Sequence, residues 1–305
     1  MARLAAIDLG SNSTRLLVCD VADGRITREV TSRSIVTRMG ENVDATGVIG
    51  EAALGRVTNV LSAYKGLMEE CKVDKGVALL TSAARDAANG PELAHTISQL
   101  LGVDARLISG DEEARLVYVG ATFDRPPGAA AVLDIGGGST ELAFGDGDRL
   151  TSHASSQVGV VRHTERFLHD DPPTSEQIAA MRADIRQRLT ELAGGRTTQA
   201  TLSVGGTPVS CATMLGNEHP HGALVSAEQC EELLQRVVAM SRTELEHVQG
   251  LHPARAPAIV AGISIHLEAL HVLGASAFEV CEHDLRHGAV IELAAQALGR
   301  SGAAC

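Results

Sequence analysis

Two acidic residues bracket three glycines in Asp134-Ile135-Gly136-Gly137-Gly138-Ser139-Thr140-Glu141. Glycines carry no Cβ, so the backbone N–H groups of Gly136, Gly137, Gly138 and Ser139 can close around an anion without steric conflict. Asp134 and Glu141 would repel a phosphate there unless a hard cation such as Mg2+ lay between them. An ordinary hairpin with a glycine turn is the competing reading for this stretch alone. The chain opens on the same pattern. Ala6 to Leu16 aligns with Val132 to Leu142 without a gap, pairing Asp8 with Asp134, Gly10 with Gly136, Ser13 with Ser139 and Thr14 with Thr140. A repeat at this spacing implies two related domains, with a phosphate-bearing ligand gripped in the cleft between them. Arg15 stands where the second copy has Glu141. The halves are thus expected to differ, one holding phosphate directly and the other holding a metal.

These residues need strands to deliver them. Leu4 to Leu9, Arg15 to Asp20 and Arg25 to Arg38 read as three successive strands, the last alternating and polar. Glu41 to Gly50 is a loop, and Glu51 to Cys71 has the apolar spacing of an amphipathic helix. A buried strand, Val77 to Leu80, ends at Thr81-Ser82, either of which can cap a helix that carries Arg85 one turn in. A helix from Pro91 to Leu101 and a strand from Ala105 to Ile108 lead to Ser109-Gly110-Asp111-Glu112-Glu113. Acids at a helix N-terminus suit the macrodipole, yet capping needs no Glu113. Asp124-Arg125-Pro126-Pro127-Gly128 is a breaker, placing domains at 1–125 and 126–305. The second half opens with a strand from Ala129 to Leu133 and another from Thr140 to Phe144. Helices are expected at Val158 to Leu168, Ser175 to Leu192, Glu228 to Met240 and Ala254 to Leu273. A strand from Leu202 opens onto Gly205-Gly206-Thr207, a third turn suited to an anionic or ribose group. A last strand, Ala277 to Cys281, precedes a closing helix that could pack back toward the first domain.

Composition narrows the partners. A formal charge of −12 argues against nucleic acid, and 2% aromatic content leaves few base-stacking surfaces. A polyanion must then meet a local arginine cluster, and Arg3, Arg15, Arg33, Arg38 and Arg85 favour the first half. Neither a membrane span nor a secretory signal is expected. The 6 cysteines lie far apart and read as reduced thiols of a cytoplasmic protein.

Five stretches together resemble the exopolyphosphatase / guanosine-pentaphosphate phosphohydrolase family: AIDLGSNSTRL, TSAARDAAN, ISGDEEA, DIGGGSTEL and DLRHG. The resemblance implies an α/β, duplicated actin/hexokinase/Hsp70-like (ribonuclease H-like) fold with an interdomain active site. It also implies hydrolysis of a terminal phosphoanhydride of inorganic polyphosphate, with pppGpp as the alternative substrate. By this resemblance Glu113 is the general base, while Asp134 and Glu141 hold Mg2+, or Mn2+ in its place, or order the water. Gly10, Ser11, Asn12, Ser13, Gly136, Gly137, Gly138 and Ser139 would cradle phosphates. Arg15 and Arg85 would neutralise them, with Gly206 and Thr207 as further substrate contacts. Larger members carry an additional C-terminal helical region, so short oligophosphates are expected as substrates. A same-fold kinase and a silent alarmone sensor are the rival classes; a homodimer is also open to the chain.

Overall fold

The computed structural model describes residues 1–147, 149–199 and 201–298. They form two compact units, Met1–Asp124 with the segment beginning at His283, and Arg125–Glu282. The division is therefore not linear, because the expected second domain gives its closing segment to the first.

Unit 1 contains β1 (Ala2–Leu9), β2 (Ser13–Ala22), β3 (Arg25–Val36), α1 (Val43–Thr46), α2 (Glu51–Glu70), β4 (Lys75–Leu80), α3 (Ser82–Asp86), α4 (Gly90–Leu101), β5 (Asp104–Leu107) and α5 (Gly110–Thr122). Its sheet runs β3-β2-β1-β4-β5: an antiparallel meander extended by two parallel strands reached through helices. β1 is buried almost throughout, as a central strand covered on both faces must be. The burial of Ala53, Val57, Leu61, Tyr64 and Met68 puts one stripe of α2 into the core. There Tyr64 donates to Thr14 O at 2.9 Å, which satisfies a phenol that would otherwise be costly to bury.

Unit 2 repeats the plan with β6 (Ala129–Ile135), β7 (Thr140–Asp146), β8 (Arg149–Ser156), α6 (Val160–Phe167), α7 (Ser175–Ala193), β9 (Thr201–Val204), α8 (Gly206–Met214), β10 (Leu224–Ser226), α9 (Ala227–Val238), α10 (Arg242–Leu245), α11 (Ile259–Leu273) and β11 (Ala277–Cys281). Its sheet order is β10-β11-β9-β6-β7-β8, so β8-β7-β6-β9-β11 matches the whole of the first sheet. This duplicated α/β architecture is the actin/hexokinase/Hsp70 type that the sequence resemblance implied. The expected helix from Ala254 is a 3-10 segment, Pro253–Ala258, before α11, because Pro257 lacks the N–H that an α-helical turn requires. Together Pro253–Leu273 are long and apolar enough to cross a membrane, yet 78% of that window is buried inside the protein, as a core helix is. β8, β10 and α10 carry no apolar period and were not expected.

The last helix, α12 (Leu285–Ala297), packs on α5, β1, β2 and β3 of unit 1. Two glycines permit its close crossing with α5. A Cβ on Gly120 would fall 2.0 Å from Asp284 O, and one on Gly288 2.0 Å from Leu116 O. Cys19, Cys71, Cys211 and Cys230 are thiols; Cys305 lies outside the described residues.

Candidate active site

In unit 1 three parallel strands stop at one level: Leu9 pairs with Leu80, and Leu80 with Leu107. Ligands of open α/β sheets bind beyond such carboxyl ends. Gly10, Thr81 and Ile108 follow, and each begins a segment with a candidate residue. The first is the turn at 10–13, closed by Gly10 N donating to Ser13 O at 3.0 Å. The second is α3, which carries Arg85. Thr81 makes no side-chain cap; its hydroxyl is directed to Leu9 O at 3.5 Å. The third is α5, capped by Ser109, whose hydroxyl accepts from Glu112 N at 3.1 Å. Arg85 Nη1 donates to Ile108 O at 2.9 Å and to Glu113 Oε2 at 3.1 Å, so one guanidinium orients a carboxylate that is only 7% exposed.

The backbone of the turn has a definite polarity. Ser11 O accepts from Gly40 N at 2.8 Å, and Asn12 O accepts from Thr37 N at 3.0 Å and Arg38 N at 2.9 Å. In a trans peptide the N–H points opposite to the C=O, so tying the carbonyls back turns the amides of Asn12 and Ser13 to the other side. The buried hydroxyls of Ser11 and Ser82 meet no partner, the condition of groups that a bound anion would satisfy.

Unit 2 uses the same device. Gly136 N donates to Ser139 O at 2.9 Å, closing the turn. The start of α6 holds the turn's carbonyls: Val160 N donates to Gly136 O at 3.0 Å and Val161 N to Gly137 O at 2.8 Å. Arg162 Nε donates to Gly138 O at 2.8 Å. The amides of Gly137, Gly138 and Ser139 therefore face away from α6. The approach is tight, since a Cβ on Gly159 would lie 2.4 Å from Gly137 O.

Asp134 and Glu141 are direct partners across β6 and β7, 6% and 2% exposed. Ser155 on β8 donates to Glu141 Oε1 at 2.8 Å. Two buried carboxylates on neighbouring strands form an all-oxygen donor set, which fits a hard divalent cation. Gly205, at φ 104°, lets β9 turn beside them, where a Cβ would sit 3.3 Å from Asp134 Oδ1. The guanidinium of Arg255 lies directly over Gly206, so any side chain at 206 would collide with it. Thr207 follows on α8, against Gly262 of α11.

Arg15, expected to contact phosphate, meets two carboxylates. Its guanidinium meets Asp8 Oδ2 at 2.6 Å and Asp284 Oδ2 at 2.9 Å. Arg286, from the DLRHG segment, clasps Asp284 through Nη2 at 2.9 Å and also donates to Leu16 O at 3.1 Å. Sequence reasoning missed Arg255, Ser155 and this Asp284–Arg286 brace. Only the DLRHG motif signalled any of them.

A family model, the Ppx/GppA phosphatase family, matches residues 17–297. The chain belongs to this family. Among curated relatives it is 32% identical to exopolyphosphatase 2 of Mycobacterium tuberculosis, covering 96% of this chain and 99% of that one. Exopolyphosphatase 1 of Mycobacterium bovis is 27% identical, with 95% and 87% covered. Among solved structures, an exopolyphosphatase-like protein superimposes with a TM-score of 0.90 at 30% identity, covering 97% and 99% of the two chains. The Ppx/GppA family member of Aquifex aeolicus gives 0.80 at 28%, covering 99% of each. As a family member the chain is a hydrolase.

Proposed function

We propose that the chain is an exopolyphosphatase, releasing orthophosphate from the end of inorganic polyphosphate. The observation that carries this reading is the polarity of each of the two turns, whose carbonyls are tied back so that its amides face the opposite side. Amides so turned suit phosphate oxygens. Arg85 adds positive charge beside Glu113. Water attacks the terminal phosphorus and passes a proton to the Glu113 carboxylate. The bond from that phosphorus to the bridging oxygen breaks, and its electron pair leaves on the shortened chain. Mg2+ held by Asp134 and Glu141, or Mn2+ in its place, would supply charge neutralisation during this transfer. Positioning and neutralised charge are most of what phosphoryl transfer requires.

Glu113→Gln is expected to lower kcat by about 10²–10⁴ with KM nearly unchanged, the usual worth of a general base. Phosphate release from polyphosphate and from pppGpp should be assayed side by side, without added nucleotide acceptor. Faster release from pppGpp would replace polyphosphate as the substrate, and wild-type turnover in the variant would remove Glu113 from the chemistry.

A further inference from the structure

Glu29 of β3, His283 just before α12 and His287 on α12 each offer one ligand atom, and these atoms lie within 4.8 Å of one another. We propose that they form a second metal site in unit 1, for a borderline divalent ion of the Zn2+ type.

The donor set differs in kind from the all-carboxylate pair of unit 2. Two imidazoles and one carboxylate suit Zn2+, whereas Mg2+ prefers oxygen. The separations are close to those required. His287 Nε2 stands 3.0 Å from Glu29 Oε1, and His283 Nε2 stands 3.8 Å from the same oxygen. Ligands about 2.0–2.1 Å from a tetrahedral Zn2+ are about 3.3 Å apart, so small side-chain adjustments would complete the triad.

The second nitrogens have acidic neighbours. His283 Nδ1 lies 3.3 Å from Asp124 Oδ1, and His287 Nδ1 lies 3.5 Å from Asp284 Oδ1. Each ring thus turns Nε2 toward Glu29 and has a carboxylate near Nδ1. His287 Nδ1 also faces the amide of Asp284 at 3.1 Å. Accepting from that amide puts the proton on Nε2, toward Glu29. Loading a cation would move that proton to Nδ1, so the Asp284 amide would give up this acceptor and its carboxylate, 3.5 Å away, would take the Nδ1–H. Phe123 walls the pair, with ring centroids 5.0 Å from His283 and 5.9 Å from His287. Glu29 is exposed.

The test uses the full chain, stripped with a chelator and titrated with Zn2+ by calorimetry in excess Mg2+, with Co2+ absorption as a second readout. One equivalent of Zn2+ should bind in the wild type and in Asp134→Asn. His283→Gln and Glu29→Gln should each weaken binding at least 10-fold while circular dichroism stays unchanged. The proposal fails if no Zn2+ binds under Mg2+, if His283→Gln binds like wild type, or if Asp134→Asn alone abolishes binding.

Discussion

The two turns share a backbone and are flanked by strand pairs that differ in charge. Asp8 faces Arg15 across β1 and β2, and Asp134 faces Glu141 at the matching position across β6 and β7. In unit 1 the pair neutralises itself and recruits Asp284 as a third member. Burial pushes the Asp8 carboxyl up, against the opposing pull of Arg15. Burial also favours a raised Asp284, but Arg286 and Arg15 together hold it well below the usual carboxylate range. In unit 2 the equivalent pair is two buried acids, which a protein tolerates at low cost only with a compensating charge. One substitution between duplicates therefore separates a self-neutralising pair from an acidic one. Net charge at the strand pair, rather than the glycine turn, distinguishes their roles.

The strongest way to break the comparison is Arg15→Glu, which copies the unit 2 pair into unit 1. It leaves Asp8 and Asp284 beside a third acid, and removing one partner from a buried ion pair typically costs about 3–5 kcal/mol. Urea unfolding should show a loss of that size; an unchanged midpoint would mean that Arg15 is no brace.

Acid offers the next test. His266 is fully buried, with Nε2 2.8 Å from Ser203 Oγ and Nδ1 2.9 Å from Gly262 O. Burial lowers its pKa to about 4 from 6.5. The unfolded chain therefore binds the proton first. The stabilisation is present above pH 6.5 and is lost as pH falls toward 4, amounting to about 3 kcal/mol. Ser203 pairs with Leu133 beside Asp134, so unit 2 should loosen in this window. His266→Gln should flatten that slope in pH-dependent unfolding; an unaltered slope would assign it elsewhere.

A smaller effect is expected from Asp134→Asn or Glu141→Gln. Either should raise the Mg2+ concentration needed for half-maximal phosphate release by about 10–100-fold, or about 1.4–2.7 kcal/mol. Activity of the wild type in excess EDTA would refute the assignment. The smallest concerns Ser155→Ala, which deletes the hydroxyl on Glu141 at about 1 kcal/mol. A few-fold rise in the Mg2+ requirement is expected, and an effect matching Glu141→Gln would make Ser155 a direct participant.

Much of this architecture was legible because glycine turns and acidic residues leave a local signature. The duplicated motif announced two related sheets, and the apolar spacing of α2 announced its buried face. Elements defined by partners were not legible. β8 is a polar edge strand whose only demand is hydrogen bonding to β7, and its sequence carries no apolar alternation. Pro257 was visible, yet its effect on the start of α11 depends on the surrounding turn. Arg255 over Gly206 and Arg15 against Asp284 are long-range placements, 49 and 269 residues apart in the chain, that no local pattern encodes. The resemblance suggested Arg15 as a phosphate contact; its pairing with Asp284 brings in a carboxylate from far along the sequence.

The placement of α12 bears on how the chain is made. Unit 2 is contiguous and can close its core as soon as its own residues have emerged. Unit 1 cannot, because Asp284 is synthesised 269 residues after the arginine that it completes. At about 5–20 residues per second, β1 and β2 wait on the order of tens of seconds for that partner. During this interval the first-made half of the protein is the last to be finished. The nascent chain thus carries an open sheet that a ribosome-bound chaperone can shield and a protease can cut.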